Sequence, residues 1–295
     1  MKLILSISIK DIFPLSVISI NRGKGSEGLS EFASQNCLNE FNYLYEIIDN
    51  DEMHYKRLDY KNNFCRYQDI RPYKDNRVKI SSTNGYINAS WVDMPYTSYF
   101  IATQGPLKST SEDFWEMCFN YDVKIIIMLC KLQENNMEKC YNYWNTYLKK
   151  YQIIKTSNEI KNEEGLIIRN FQIINKNDYV SKDIVQIHLM SWDDHTAPIS
   201  NYEKIIKIIN FILENKKNSP VVVHCSAGVG RTGTFISLFN LYNEITQQLN
   251  KKEIHFSIMN LVRKLKEMRM HLVENEDQYI FLYEFCNILL NQVNK

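Results

Sequence analysis

Apolar positions return at helical spacing from Leu29 to Ile48, with Phe32, Leu38, Phe41, Leu44, Tyr45 and Ile48 on one stripe, which predicts that the folded unit opens with a helix. Beyond it, short β-branched and aromatic runs alternate with longer amphipathic ones. Tyr86–Ala89, Tyr99–Thr103, Val123–Cys130, Leu166–Ile174, Ile184–Met190 and Val221–Val223 read as strands. Ser111–Asn120, Ile199–Glu214, Thr232–Leu249, Ser257–Arg269 and Glu276–Leu290 read as helices, with Thr110 or Ser111 and Ser257 available as caps. The alternation predicts one α/β domain over residues 29–295, with no repeat and no internal seam.

Residues 1–28 read as a flexible N-terminal extension. Lys10 and Asp11 interrupt its apolar run well short of the roughly 18 residues a membrane span needs. A lysine before a short apolar stretch also fits a signal peptide. Three of the chain's nine glycines, Gly23, Gly25 and Gly28, follow as a linker.

Composition narrows the field. Thirty-five Lys and Arg against 34 Asp and Glu give a formal charge of +1, which argues against a nucleic-acid binder working through bulk positive charge. The seven cysteines, Cys37, Cys65, Cys118, Cys130, Cys140, Cys225 and Cys286, are scattered and odd in number. They indicate neither a disulfide framework nor a zinc site, and they fit a reducing compartment.

The chemistry concentrates in Val221–Gly233, where an apolar strand runs into a Gly-rich turn and then a helix. Such a turn converges backbone N–H groups, and the helix start adds partial positive charge, so the segment is an anion cradle. Gly228, Gly230 and Gly233 allow close backbone approach, and Arg231 offers a planar fork for two phosphoryl oxygens. Cys225 sits inside the cradle, where these surroundings favour the thiolate and make it a nucleophile aimed at phosphorus. Most free cysteines are small buried hydrophobes, but His224, Arg231 and Thr232 at fixed offsets make that reading improbable here. No lysine follows a glycine as a nucleotide-binding loop requires.

His224-Cys225-Ser226-Ala227-Gly228-Val229-Gly230-Arg231-Thr232 resembles the signature of the tyrosine-specific protein phosphatases. Phe64–Ile70 resembles their phosphotyrosine loop, Tyr86–Ser90 their YINAS strand, and Tyr99–Pro106 their YIATQGP segment. Asp113–Trp115 and Cys140–Trp144 match in the same order. The resemblance covers roughly residues 30 to 292. It implies a cysteine-phosphatase fold, a highly twisted mixed β-sheet flanked by helices. It also implies phosphotyrosine hydrolysis through a cysteinyl-phosphate, without metal or cofactor. By the same resemblance Cys225 is the nucleophile, Arg231 the phosphate clamp, Thr232 the hydroxyl that steadies the sulfur, and His224 a group tuning the thiol from behind. Ser226, Ala227, Gly228, Val229 and Gly230 form the phosphate loop, Glu134 orients Arg231, Tyr67 walls a pocket deep enough to exclude phosphoserine, and Asp69 holds the substrate backbone.

Two segments depart from the family pattern. Ser191–Pro198 resembles the mobile acid loop, with Trp192 as anchor and Asp194 as proton donor, but Asp193 replaces a proline and Thr196 a glycine. The closed loop should therefore be less well specified, and Asp193 either raises the Asp194 pKa or points to solvent, the latter favoured. Leu272–Tyr279 resembles the glutamine loop. Gln278 keeps the second glutamine, but Glu274 stands where the water-placing one is expected. A carboxylate only accepts, and it repels phosphoryl oxygens, so the hydrolytic half-reaction is the step at risk. Gln278 could substitute, or Glu274 could act as a base.

Two functions follow: an active protein-tyrosine phosphatase, or a slow module that binds and traps phosphotyrosine. Action on RNA ends or phosphoinositides is disfavoured by Tyr67 and the near-zero charge. The expected partners are phosphotyrosine-containing proteins, with no nucleic acid, no stable membrane insertion and a monomeric state. The Lys/Asn-rich composition also resembles phosphatases carried by polydnaviruses and other insect viruses, which implies a host–virus role in the host cell's cytoplasm.

Overall fold

Val221–His224 is buried along its whole length, and a strand without an exposed face needs a partner on each side. In the computed structural model it has both. The structure describes residues 18–21, 27–49, 57–59, 63–82, 85–94, 100–161, 165–216 and 218–293. The elements in chain order are β1 (Ile18–Asn21), α1 (Glu27–Leu44), β2 (Ala89–Val92), β3 (Phe100–Thr103), α2 (Ser111–Asn120) and β4 (Ile125–Met128). There follow β5 (Gln133–Glu134), β6 (Met137–Glu138), β7 (Tyr151–Lys155), β8 (Ile160–Lys161), β9 (Leu166–Asn175) and β10 (Ser181–Leu189). The chain ends with α3 (Tyr202–Asn215), β11 (Val221–His224), α4 (Gly230–Thr246), β12 (Glu253–Phe256), α5 (Ile258–Met268) and α6 (Glu276–Val293).

The central sheet runs β2-β3-β11-β4-β10-β9-β7, with β8 also on β9. β11 pairs parallel with β3 and β4, and β4 pairs parallel with β10. The outer pairings are antiparallel. The sheet is the twisted mixed sheet flanked by helices that the sequence predicts, and the parallel strands carry their carboxyl ends to one edge, where His224 hands the chain to the cradle. β9 alternates along its length, burying Ile167, Arg169, Phe171 and Ile173, the pattern of a strand with one covered face. α4 is buried on nearly every side because it lies between the sheet and α6. Phe239 meets Phe100 edge-on at 5.1 Å.

Several boundaries move. The first helix begins at Glu27 and gives way at Tyr45–Asp49 to a π-helical turn, which delivers Asp49 to Lys266 at 2.6 Å. Within the expected extension, Ile18–Asn21 pairs antiparallel with Glu253–Phe256, so that part of residues 1–28 belongs to the fold; residues 1–17 and 22–26 lie outside the described residues. The strand expected at Tyr86–Ala89 forms three residues later. Tyr86 and Ile87 are buried, but the Asn88 backbone carbonyl accepts from the Thr103 hydroxyl, and the Asn88 side-chain Nδ2 donates to Ile70 O. β7 carries no sequence signal because only Tyr151 of its five residues is buried. Ser257 caps α5 as expected, its Oγ accepting the Asn260 N–H at 3.2 Å. Among the described residues no helix is long and apolar enough to cross a membrane.

Candidate active site

The cradle is shaped by where its carbonyls go. His224 Nδ1 bonds Cys225 O, Gly105 N–H bonds Ser226 O, and Arg269 donates to Ala227 O and Gly228 O. With four successive carbonyls held from outside, the loop is set to present its N–H groups inward. Val229, the residue before α4, supplies no side-chain cap, so the first amides of the helix are left for a ligand. Gly228 makes the bend at φ +74°, and a Cβ there would collide with the Thr103 carbonyl.

Cys225 is buried at the floor, where the Thr232 hydroxyl donates to Sγ at 3.3 Å. His224 does not touch the sulfur. Gln186 Nε2 donates to the Tyr143 oxygen, Tyr143 O–H donates to His224 Nε2 at 3.0 Å, and Nδ1–H donates to Cys225 O at 3.1 Å. Burial pushes the His224 pKa down to about 3, which fits this single-proton assignment. It thereby holds the backbone of Cys225 in place.

Arg231 is buried and held from three sides. Both terminal nitrogens donate to Glu134 at 2.8 and 3.1 Å, Nη1 also donates to Trp192 O at 2.9 Å, and Nη2 to Asp194 Oδ1 at 2.8 Å. Nε is buried without a hydrogen-bond partner among the described residues. Burial works against the charged guanidinium, but Glu134 and the other anions around it keep its pKa raised. Glu134 reaches this position from the β5–β6 hairpin, whose two-residue turn holds Asn135 and Asn136 at φ 50° and 60°, the left-handed pair that a type I′ turn requires.

The Ser191–Pro198 loop reaches the cradle through Trp192 and Asp194, both hydrogen-bonded to Arg231. Trp192 is buried, and its indole N–H donates to Thr196 O. The left-handed residue of the loop is His195 (φ 56°) and not Thr196, whose hydroxyl instead ties back to Asp193 O at 2.8 Å. Asp193 is exposed, as expected, and pairs with Lys131 at 3.1 Å. Asp194 meets a second cation, Lys139, at 2.6 Å. Burial alone would raise its pKa, but Arg231, Lys139 and His195 outweigh that and hold it below the ordinary carboxylate range. The upward shift considered for an Asp193 neighbour does not occur.

Tyr67 borders the cradle, its hydroxyl 3.0 Å from Ser226 Oγ, and Asp69 is exposed nearby. Glu274 and Gln278 stand over the start of α4, Gln278 Oε1 accepting the Glu274 N–H at 3.0 Å. The structure thus brings Tyr67, Glu134, Trp192, Asp194, Thr232, Glu274 and Gln278 around the Cys225–Arg231 loop, while Asp69 makes no hydrogen bond to it among the described residues. Lys139, Arg269, Tyr143 and His195 were not nominated. Lys139 directly precedes the recognised Cys140–Trp144 segment, but its contact lies 55 residues along the chain, and Arg269 gives no local signal at all. Among the described residues no cluster of three or more His, Cys, Asp or Glu is placed to hold a metal ion.

Comparison with known proteins bears on the same residues. The model of the family described as "Protein-tyrosine phosphatase" matches residues 61–287. The chain is 36% identical over 237 residues to human "Tyrosine-protein phosphatase non-receptor type 20", covering 77% of this chain and 54% of that protein. It is likewise 36% identical over 260 residues to Drosophila melanogaster "Tyrosine-protein phosphatase 69D", covering 81% of this chain and 17% of that protein. The chain therefore spans about half the length of the first of these relatives. A solved structure described as "Structural basis of PTPN18 fingerprint on distinct HER2 tyrosine phosphorylation sites" superposes with a TM-score of 0.78 at 25% identity, covering 90% of this chain and all of that one. Since the family match spans most of the chain and contains the whole cleft from Tyr67 to Gln278, the chain belongs to the protein-tyrosine phosphatase family.

Proposed function

We propose that this domain hydrolyses phosphotyrosine in proteins through a phosphocysteine intermediate. The observation that carries the reading is Arg231 Nε, a buried donor with no partner, beside a thiol and the uncapped start of a helix. A phosphoryl oxygen satisfies it. Cys225 Sγ attacks phosphorus, the P–S bond forms as the bond to the phenolic oxygen breaks, and Asp194 gives that oxygen its proton. A dianionic phosphoryl group on Arg231 displaces Asp194 from Nη2. Freed of that cation and facing new negative charge, the carboxyl is driven toward the protonated form that an acid needs. Water then cleaves the P–S bond, and Thr232 steadies the returning thiolate. Tyr67 stacks on the substrate ring and sets the depth that shorter phosphoserine cannot reach, while Asp69 takes amides of the substrate chain.

A second reading, a phosphotyrosine trap with slow turnover, draws on Asp194 itself, held ionised by Arg231 and Lys139. Steady-state hydrolysis of a phosphotyrosine peptide separates the two. Sustained release of phosphate, abolished in Cys225→Ser, is expected; one equivalent of phenol followed by no further product would establish the trap. We further propose a monomer whose partners are phosphotyrosine proteins, acting in the cytoplasm without nucleic acid or membrane insertion, in keeping with the formal charge of +1. An insect-virus origin, with action in the host cell, is supported by the Lys/Asn-rich composition alone.

A further inference from the structure

Glu274 and His195 face each other across the mouth of the cradle, one from each loop that departs from the family pattern. Glu274 Oε2 lies 2.5 Å from where a Cβ on Gly230 would stand, so its carboxylate overhangs the first residue of α4. The Gln278 amide is beside it, with Nε2 3.0 Å from the same point. That nitrogen belongs to a fully buried side chain and has no hydrogen-bond partner among the described residues. From the other side His195 Nδ1 lies 3.8 Å from Glu274 Oε2, and Nε2 lies 3.7 Å from Asp194 Oδ2. Asn275 Nδ2 donates to His195 O at 3.0 Å, fastening the two loops together.

We propose that Glu274 is the general base that activates water against the phosphocysteine, with His195 as its positioning residue, so that two different carboxylates serve the two half-reactions. The inference rests on the phosphatase reading. A water that donates one proton to Glu274 and accepts the free Gln278 Nε2–H sits above the Cys225 cradle. Its oxygen bonds to phosphorus, the P–S bond breaks with its electron pair returning to Sγ, and the proton leaves from Glu274 through the exposed His195 imidazole to solvent. The electrostatics divide the labour in the same sense. With the phosphoryl group on Arg231, Lys139 at 2.6 Å remains the cation on Asp194 and weakens it as a base. Burial raises Glu274, and Asp194 adds to the rise, against the opposing effect of His195, His271 and Lys266.

The test follows formation and decay of the acid-quenched phosphoenzyme separately, on the full chain with p-nitrophenyl phosphate. Glu274→Gln and Glu274→Ala are expected to form it within about twofold of the wild-type rate and to slow its decay roughly 10- to 100-fold, with loss of the acidic limb of the decay profile. Asp194→Asn is expected to slow formation and leave decay intact. His195→Phe is expected to shift the acidic limb of decay without changing formation. Wild-type decay in both Glu274 variants, or equal slowing of both steps in Asp194→Asn, overturns the proposal while leaving the phosphatase reading standing. A wild-type chain that forms no phosphoenzyme overturns both.

Discussion

Arg231 Nη2 donates to Asp194 Oδ1 at 2.8 Å, so in the proposed mechanism the acid's carboxylate rests on the very cation that the phosphoryl group requires. Acid and substrate compete for one guanidinium edge. Asp194→Asn should therefore bind inorganic phosphate about tenfold more tightly by calorimetry, while release of an aryl leaving group slows about 10²- to 10⁴-fold. Unchanged phosphate affinity would mean that the carboxylate imposes no such competition.

Lys139, buried to 8% exposure beside Asp194, should set the pH range of the first step. Removing this cation from a carboxyl whose pKa it lowers raises that pKa, so the acid stays protonated to higher pH. The alkaline limb of phosphoenzyme formation in Lys139→Met is expected to move to higher pH; a limb that stays in place would exclude Lys139 from tuning the acid.

Two buried histidines predict an acid-sensitive fold. Burial pushes His224 down to about 3 and His188 to about 4, against 6.5 for the free side chain. Below pH 6.5 the unfolded chain binds protons that the folded one refuses. Stability is therefore full above 6.5 and falls with pH, by about 1.4 kcal/mol per unit for each histidine until its folded value is reached. Urea midpoints between pH 7.5 and 5 read this directly. His188→Gln should flatten the slope, and a midpoint indifferent to pH would show that the imidazoles charge within the fold.

Gly228 and Gly230 should respond differently to alanine. At Gly228 the added methyl meets backbone at Thr103 in a left-handed residue, so loss of about 2 kcal/mol or more is expected in the thermal midpoint. At Gly230 it meets the Glu274 and Gln278 side-chain ends, which can move. Stability should then hold near wild type while turnover falls, and equal destabilisation of the two variants would contradict this picture.

The parts of the site that the sequence reveals are those built locally. Val221–Gly233 is strand, turn and helix in immediate succession, so its own residues mark the cradle, although Gly105 and Arg269 hold its carbonyls from outside. The acid and glutamine loops are legible as segments, but their consequences are not. Thr196 looked like the strained position, whereas the structure puts the left-handed backbone on His195 and gives Thr196 a hydrogen bond. Glu274 looked like a repulsive charge, and only the apposition of two loops supplies His195 beside it. Arg269 acts entirely through tertiary contact, on the loop carbonyls, and nothing in its own neighbourhood marks it; Tyr143 lies within the recognised Cys140–Trp144 segment, but its bond to His224, 81 residues away, leaves no local trace. The edge strand Tyr151–Lys155 escaped for the opposite reason, having too little buried surface to leave a period.

The short hairpin of β5 and β6 carries Glu134 on one arm, and Lys139 follows directly after the other. One grips Arg231 and the other grips Asp194. The hairpin is thus a yoke, giving these two side chains a common mount on one stretch of six residues. A single residue inserted between Asn135 and Asn136 would unharness both at once.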